Sequence, residues 1–374
     1  GEGMIPGVRK AVASASPYTP GKTVEEVRRE LGLERIIKLG SNENPWGPFP
    51  AARTAMVDEI SRLNMYPDVS FRELKELIAG QFGLKPEWVA LSHGAEGMLQ
   101  TLGKVFLDPE DEVVLSRGTY GLYREISLVM GAALRETALL DNFSVDIAGM
   151  ERCITEKTKL IWLNNPNNPT GLILPPERIE DFIRKLPEGT WTVLDEAYGE
   201  FALKGSLPDT RALLEEGRSL VVVRTFSKAW GLAGARIGYA LARPELVRVI
   251  DTVSEPFNAN RMAIAGACAS LREDGEAFRS ALKFIVSERG RVSDVLRGMG
   301  LKILGSSTNF IFFTLPVEAE EVSRKLLKRG IIVRPCGGWG FSRSIRVSIG
   351  TSEENTLFLE TLAEILSEEK GENV

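Results

Sequence analysis

Histidine occurs once in the 374 residues, at His93, and cysteine three times, at Cys153, Cys268 and Cys336. A single histidine excludes a zinc site built from several, and a Ser-His-Asp triad has only His93 to form around. The cysteines are odd in number, far apart and outside any metal-ligand spacing. They read as reduced thiols, with no metal, in a cytoplasmic protein. No apolar run approaches the length of a membrane helix, and the amino terminus shows no basic-then-apolar leader. No charge sign dominates either: 46 Lys and Arg face 51 Asp and Glu, a net charge of −5. That leaves neither a basic stripe for nucleic acid nor a polybasic patch for a membrane, so a small-molecule substrate fits better. At 43% hydrophobic and this length, the chain is expected to fold as two lobes.

Residues 1 to about 50 are rich in proline and glycine, with one helical stretch near Val24–Leu31. The segment Leu39-Gly-Ser-Asn-Glu-Asn-Pro-Trp-Gly-Pro48 carries too many breakers for a regular element and on composition alone reads as a surface arm. From Phe71 the apolar spacing becomes helical. Strand-like runs then appear at Trp88–Ser92, Glu112–Ser116, Ala133–Thr137, Leu160–Asn164, Thr192–Asp195, Leu220–Thr225 and Ile237–Ala242. Helical stretches lie between several of them, at Glu96–Phe106, Gly121–Met130 and Pro176–Lys185. Such alternation predicts an α/β fold with a mainly parallel sheet covered by helices on both faces, and ligands bind beyond the carboxyl ends of its strands. After Pro256 come long helices, at Met262–Leu271 and Ala277–Met299. Shorter strands and helices follow as a smaller α+β lobe.

The polar residues that follow the strands therefore mark the site. Thr225-Phe226-Ser227-Lys228, with Arg236 eight residues on, ends a buried apolar run. Hydroxyls and a guanidinium suit a phosphate, and a lysine beside them can form a Schiff base with an aldehyde, which together point to pyridoxal phosphate (PLP). Gly94-Ala95-Glu96-Gly97 joins a strand to a helix and turns its backbone N–H groups toward an anion, though many such turns look alike. Tyr120 follows the next strand and could lie on an aromatic ring or simply pack. Asn164-Asn-Pro-Asn-Asn-Pro-Thr-Gly171 is eight turn-favouring residues in a row, a specific signal. Asp195 brings a carboxylate to a buried strand end, where a protonated pyridine nitrogen would keep it ionised, with Tyr198 three residues on.

With these residues assembled, the chain resembles the fold-type I PLP-dependent aminotransferases over essentially its full length, and most of all the histidinol-phosphate aminotransferase family. The likeness rests on Asn42-Glu-Asn-Pro-Trp-Gly-Pro48, Asn167-Asn-Pro-Thr-Gly171, Asp195-Glu-Ala-Tyr198 and Thr225-Phe-Ser-Lys228 with Arg236. Gly330-Ile-Ile-Val-Arg-Pro335 and Ile345-Arg-Val-Ser-Ile-Gly-Thr351 add to it. The resemblance implies a large PLP-binding domain over 51–257 with a seven-stranded sheet, a small carboxyl-terminal domain over 258–374, and an arm over 1–50 that completes the small domain and the site. It implies that Lys228 bonds covalently to the cofactor and shuttles a proton, and that Asp195 holds the ring nitrogen protonated. Asn168 and Tyr198 would bind the ring's phenolic oxygen and Tyr120 would stack on the ring. Thr225, Ser227, Arg236 and the amides of Ala95 and Glu96 would hold the phosphate. Tyr66 would reach the cofactor phosphate of a partner subunit, so a homodimer with shared sites is expected. Arg346 matches the arginine that takes an amino acid's carboxylate, while Arg334, Tyr18 and Asn42 match positions near the substrate.

Three places depart from that pattern. The phosphate turn has Gly-Ala-Glu-Gly instead of an acidic pair after a small residue, Arg117-Gly118 stands where Glu-Pro is common, and Cys336-Gly-Gly-Trp-Gly340 carries a tryptophan in place of a tyrosine. The expected function is a ping-pong transfer of an amino group between histidinol phosphate, giving imidazole acetol phosphate, and 2-oxoglutarate. Rival readings are an aromatic amino acid aminotransferase, a PLP enzyme like the threonine-phosphate decarboxylases, and a non-catalytic sensor. The last is disfavoured by the presence of Lys228, Asp195 and Arg236 and by the lack of an appended DNA-binding region.

Overall fold

The computed structural model describes residues 5–372, so the first four residues of the expected arm lie outside it. Seven strands form one sheet: β1 (Val89–Ser92), β2 (Glu112–Ser116), β3 (Ala133–Thr137), β4 (Thr158–Asn164), β5 (Trp191–Asp195), β6 (Leu220–Thr225) and β7 (Gly238–Leu241). Each lies where the apolar runs predicted it, within two residues at either end. The spatial order is β1-β7-β6-β5-β4-β2-β3, and β7 alone runs against the rest, antiparallel to both β1 and β6.

Residues alternate in destination along each central strand. In β6, Val222 packs into the core on one face, with Leu74, Ile78 and Phe182, while Val221 and Val223 pack into the other, with Leu99, Leu102 and Ile126. Helices cover both faces, which is why these strands are apolar throughout rather than alternating. The helix Gly94–Phe106 follows β1, Leu122–Val129 follows β2 and Pro176–Arg184 follows β4.

A smaller sheet of β8 (Lys302–Ile303), β9 (Phe310–Thr314), β10 (Arg334–Pro335) and β11 (Ser344–Ser348) is antiparallel, in the order β10-β11-β9-β8. Its core holds Phe310, Phe313, Val322, Leu326 and Phe358. The arm joins this lobe through a two-residue parallel pairing of Ile37 with Ile331 and Lys38 with Ile332. Helix Pro50–Glu59 has no apolar stripe to reveal it, burying only Ala52, and starts on a proline that suits a first turn.

The expected boundary at 257/258 precedes helix Arg261–Glu273, whose Ala263, Ala267 and Cys268 pack into the large sheet's core beside Leu74. In the next helix, Gly275–Gly298, Ala281 still belongs to that core, whereas Ile285, Val292 and Leu296 belong to the small lobe. We propose that the division runs through this helix, between Ala281 and Ile285.

Candidate active site

At the carboxyl edge of the large sheet a cavity of about 220 Å³ opens between the two lobes and the arm. It is lined by Lys228, Asp195, Tyr198, Asn168, Thr225, Ser227, Arg236, Ala95, Glu96, Tyr120, Tyr18, Asn42, Arg334 and Arg346. Every residue expected to bind cofactor or substrate is therefore here except Tyr66. The reversal of β7 explains one membership. Arg236 precedes its strand, yet it reaches the same edge as residues that follow theirs, because β7 starts where β6 ends, with Thr225 opposite Gly238.

At one end the groups suit an anion. Arg236 takes a left-handed backbone, φ 56°, and its Nη1 donates to Ser227 Oγ at 3.4 Å and Ala233 O at 3.0 Å. The Ser227 N–H bonds Thr225 Oγ1 at 3.0 Å. Gly94, at φ +71°, opens the helix that faces them, and a Cβ there would overlap the Arg236 guanidinium. The left-handed backbone there favours glycine, and a side chain would push the guanidinium out of place. The Glu96 carboxylate sits at this end too, accepting from the Tyr120 hydroxyl at 2.8 Å and lying 3.9 Å from Arg236 Nη2. Tyr120 also meets Tyr18 edge to face at 5.4 Å.

Asp195, the last residue of β5, lies at the base of the cavity and is 3% exposed. Its carboxylate accepts from the Tyr123 hydroxyl at 2.6 Å and the Ala197 N–H at 3.1 Å, and neither partner is a cation. Burial pushes its pKa up to about 6, against the pull of these donors and of Lys228. A protonated ring nitrogen supplies the cation that this carboxylate lacks, so the donor set fits PLP. Lys228 Nζ donates to Ser41 O at 3.0 Å and lies 5.6 Å from the centre of the Tyr198 ring.

The arm is not a surface feature, as its composition suggested. Asn42 is 1% exposed in a left-handed conformation, φ 56°, a region that asparagine tolerates better than most residues. Its Nδ2 donates to Tyr198 Oη at 2.9 Å, its carbonyl accepts from Asn309 Nδ2 at 2.8 Å, and its N–H donates to Ser348 Oγ at 2.8 Å. One residue thus ties the arm to the small lobe and to the β5 turn.

The two arginines face each other by register, Arg334 on β10 directly opposite Arg346 on β11. Arg346 is buried: Nη1 donates to Asn168 Oδ1 and Nη2 to Gly40 O, both at 2.6 Å, while Nε has no hydrogen-bond partner among the described residues. Burial pulls its pKa down, as desolvation of a cation must. Arg334 donates to Thr19 O at 2.9 Å.

Tyr66 does not reach this cavity. It is 76% exposed and stacks on Phe257 at 4.1 Å, and Ile60, Leu63, Met65 and Val69, close to it in the chain, are exposed as well. The lone histidine, His93, sits outside the cavity, 3.5 Å from Glu255 Oε2 at the surface. Sequence reasoning missed Tyr123, because a tyrosine in an amphipathic helix reads as core; it quoted the stretches that hold Ser41 and Ser348 without singling either residue out, and Asn309 has no motif of its own.

A lysine, a buried carboxylate, a phenol and an anion cradle at the strand ends of a mainly parallel sheet define a PLP-dependent enzyme. Comparison with known proteins narrows the class. The profile described as aminotransferase class I and II matches residues 34–362, and the chain belongs to that family. It is 38% identical over 366 residues to a histidinol-phosphate aminotransferase of Moorella thermoacetica, covering 97% of this chain and 94% of that one. It is also 38% identical over 357 residues to histidinol-phosphate aminotransferase 2 of Haemophilus influenzae, covering 96% and 97%. The crystal structure of the histidinol-phosphate aminotransferase of Sinorhizobium meliloti in complex with pyridoxal-5'-phosphate superposes with a TM-score of 0.90 at 29% identity, over 98% of this chain and 99% of the other. The protein is a fold-type I, PLP-dependent aminotransferase.

Proposed function

We propose that the chain transfers an amino group from histidinol phosphate, giving imidazole acetol phosphate, or in reverse, with 2-oxoglutarate and glutamate as the second pair, in a ping-pong cycle. The observation that carries this reading is the register of Arg334 opposite Arg346 at one cavity. Like charges directly opposite on adjacent strands are destabilising. Two guanidiniums so placed are compensated when anions bind between or beside them. A donor with a phosphate and an acceptor with two carboxylates meet that requirement in turn.

When bound, PLP would supply an aldehyde carbon that carries the amino group and a ring that withdraws electrons from the donor carbon. The remaining work falls to the chain. Thr225, Ser227, Arg236 and the Ala95 and Glu96 amides hold the phosphate. Asp195 keeps a proton on the ring nitrogen and is itself steered by Tyr123. Tyr198 and Asn168 hold the phenolic oxygen, with Asn42 fixing the Tyr198 hydroxyl, and Tyr120 covers the ring. Lys228 Nζ anchors the cofactor and, once free, takes and returns the proton at the donor carbon. Arg346 binds a carboxylate, and Arg334 with Tyr18 binds the donor phosphate. We further read the protein as a cytoplasmic homodimer in which Tyr66 completes the partner's phosphate site; its exposed apolar surroundings support this. No helix among the described residues is long and apolar enough to cross a membrane.

A single-turnover titration tests the substrate. The bound cofactor's absorbance is followed without keto acid on adding histidinol phosphate, phenylalanine, tyrosine, histidine or threonine phosphate. The expected result is conversion by histidinol phosphate at concentrations orders of magnitude below the others. Equal or better conversion by the aromatic amino acids would replace the reading with an aromatic aminotransferase, and release of carbon dioxide from threonine phosphate with a decarboxylase.

A further inference from the structure

Two stretches that the cofactor assignment leaves unused, Arg117-Gly118 and Cys336–Gly340, meet in space. The Trp339 indole Nε1 donates to Thr119 O at 2.7 Å. Beside it, Gly118 at φ +64° leaves a space that Leu139 and Phe341 fill, since a Cβ there would stand 3.1 Å from Phe341 Cζ. Thr119 is itself fixed: its Oγ1 donates to Asn167 Oδ1 at 2.7 Å, and Asn167 Nδ2 donates to Gly118 O at 2.9 Å. On the small-lobe side, the turn that delivers the indole starts at buried Cys336, whose carbonyl accepts the N–H of Trp339 and of Phe341, each at 3.1 Å. The ring is thus held from both lobes.

Both substrate arginines lie against this one ring. The guanidinium carbon of Arg334 is 5.5 Å from its centroid and that of Arg346 is 5.7 Å. Their other restraints are unequal. Arg346 is buried with two 2.6 Å hydrogen bonds. Among the described residues the Arg334 guanidinium has one hydrogen bond, to Thr19 O of the arm, and it opens onto a second, outer cavity of about 900 Å³ that Trp339 also lines. Attraction of a cation to an indole face is worth a factor of about three to thirty in an equilibrium. That factor matters for the loosely held Arg334 and little for Arg346.

We propose that Trp339 is a positioning residue that sets donor specificity: by holding the Arg334 guanidinium beside that of Arg346, it favours donors that carry a phosphate monoester over donors that do not. The inference rests on the substrate reading above, because it assigns the donor phosphate to Arg334. The indole N–H, bonded to Thr119 O, aims the ring, and the ring aims the arginine.

The test is steady-state kinetics of the PLP-loaded parent, Trp339→Leu and Trp339→Phe, with histidinol phosphate, phenylalanine and 2-oxoglutarate, alongside thermal melting. For Trp339→Leu the expected result is a KM for histidinol phosphate raised about three- to thirtyfold, with kcat and the KM for phenylalanine, which brings no second anion to Arg334, each within about twofold. Trp339→Phe, which keeps a ring face but loses the N–H, should fall between Leu and the parent. A KM for histidinol phosphate unchanged in Trp339→Leu overturns the proposal. So does an equal rise in all three KM values with a lowered Tm, which marks a general loosening. If the parent shows no preference for histidinol phosphate over phenylalanine, the substrate reading itself fails and the proposal falls with it; a preferring parent with an unaffected Leu variant sinks the proposal alone.

Discussion

Among the described residues the Asp195 carboxylate accepts from two neutral donors and is hydrogen-bonded to no cation, so its protonation is coupled to what fills the cavity. In cofactor-free protein its pKa, about 6, lies above the ordinary value of 3.8, so the folded state holds the proton longer than the unfolded chain. Stability therefore falls as pH rises through that window, by at most roughly 3 kcal/mol. Denaturant titrations of the cofactor-free form from pH 4 to 7 should show this slope, and Asp195→Asn should flatten it. Parallel curves for parent and variant would mean that the carboxyl is not the source. In the loaded enzyme the same substitution should lower kcat about a hundred- to a thousandfold, because the ring nitrogen loses its counter-charge. Lys228→Ala should abolish the absorbance band of covalently held cofactor while leaving the fold intact by circular dichroism. A surviving band at the same wavelength would move the anchor to another amine.

Two pairings of elements carry consequences that no single residue does. Strand β7 meets the start of helix Gly94–Phe106 at Gly238, where an added Cβ would stand 2.6 Å from the Ala95 nitrogen. Gly238→Ala must part the strand from the phosphate turn. Cofactor affinity, read by absorbance titration, should drop about five- to hundredfold with secondary structure unchanged. Undiminished affinity would show that the turn does not bind the phosphate. Strands β10 and β11 present Arg334 and Arg346 directly opposite each other. Arg334→Met removes like-charge opposition, and in ligand-free protein it should raise unfolding free energy by about 0.2–1 kcal/mol while weakening histidinol phosphate binding. A gain in stability with a loss of function is the signature of a site rather than a scaffold. A destabilised variant would instead give Arg334 a structural role.

For the whole molecule, the issue is whether one chain suffices. Tyr66 is 76% exposed, stacks on Phe257 and lies outside the cavity, so its proposed role requires a second copy. Mixing inactive Lys228→Ala with an inactive Tyr66→Ala variant, after mild dissociation and reassociation, should restore about a quarter of parental activity. Half the dimers are then mixed, and each has one complete site. No recovery, or a monomer by light scattering, would remove Tyr66 from the site.

Much of this was legible in the residues. The apolar runs became the central strands because burial on both faces selects β-branched and aliphatic residues locally, while the edge strand Ala133–Thr137 is half exposed and carries Arg135 and Glu136; Lys228, Asp195, Asn168 and Arg236 stood out because polar residues at the ends of such runs are costly without a purpose. Those decisions belong to single elements, and sequence records them. The tertiary structure alone decided the rest. It reversed β7 and so brought Arg236 to the common edge, it buried Asn42 against Asn309, 267 residues along the chain, it set Arg334 opposite Arg346, and it seated Trp339 against Thr119. Periodicity reports which face of an element is covered, whereas the partner that covers it is chosen by packing between segments far apart in the chain, and no local pattern encodes that choice.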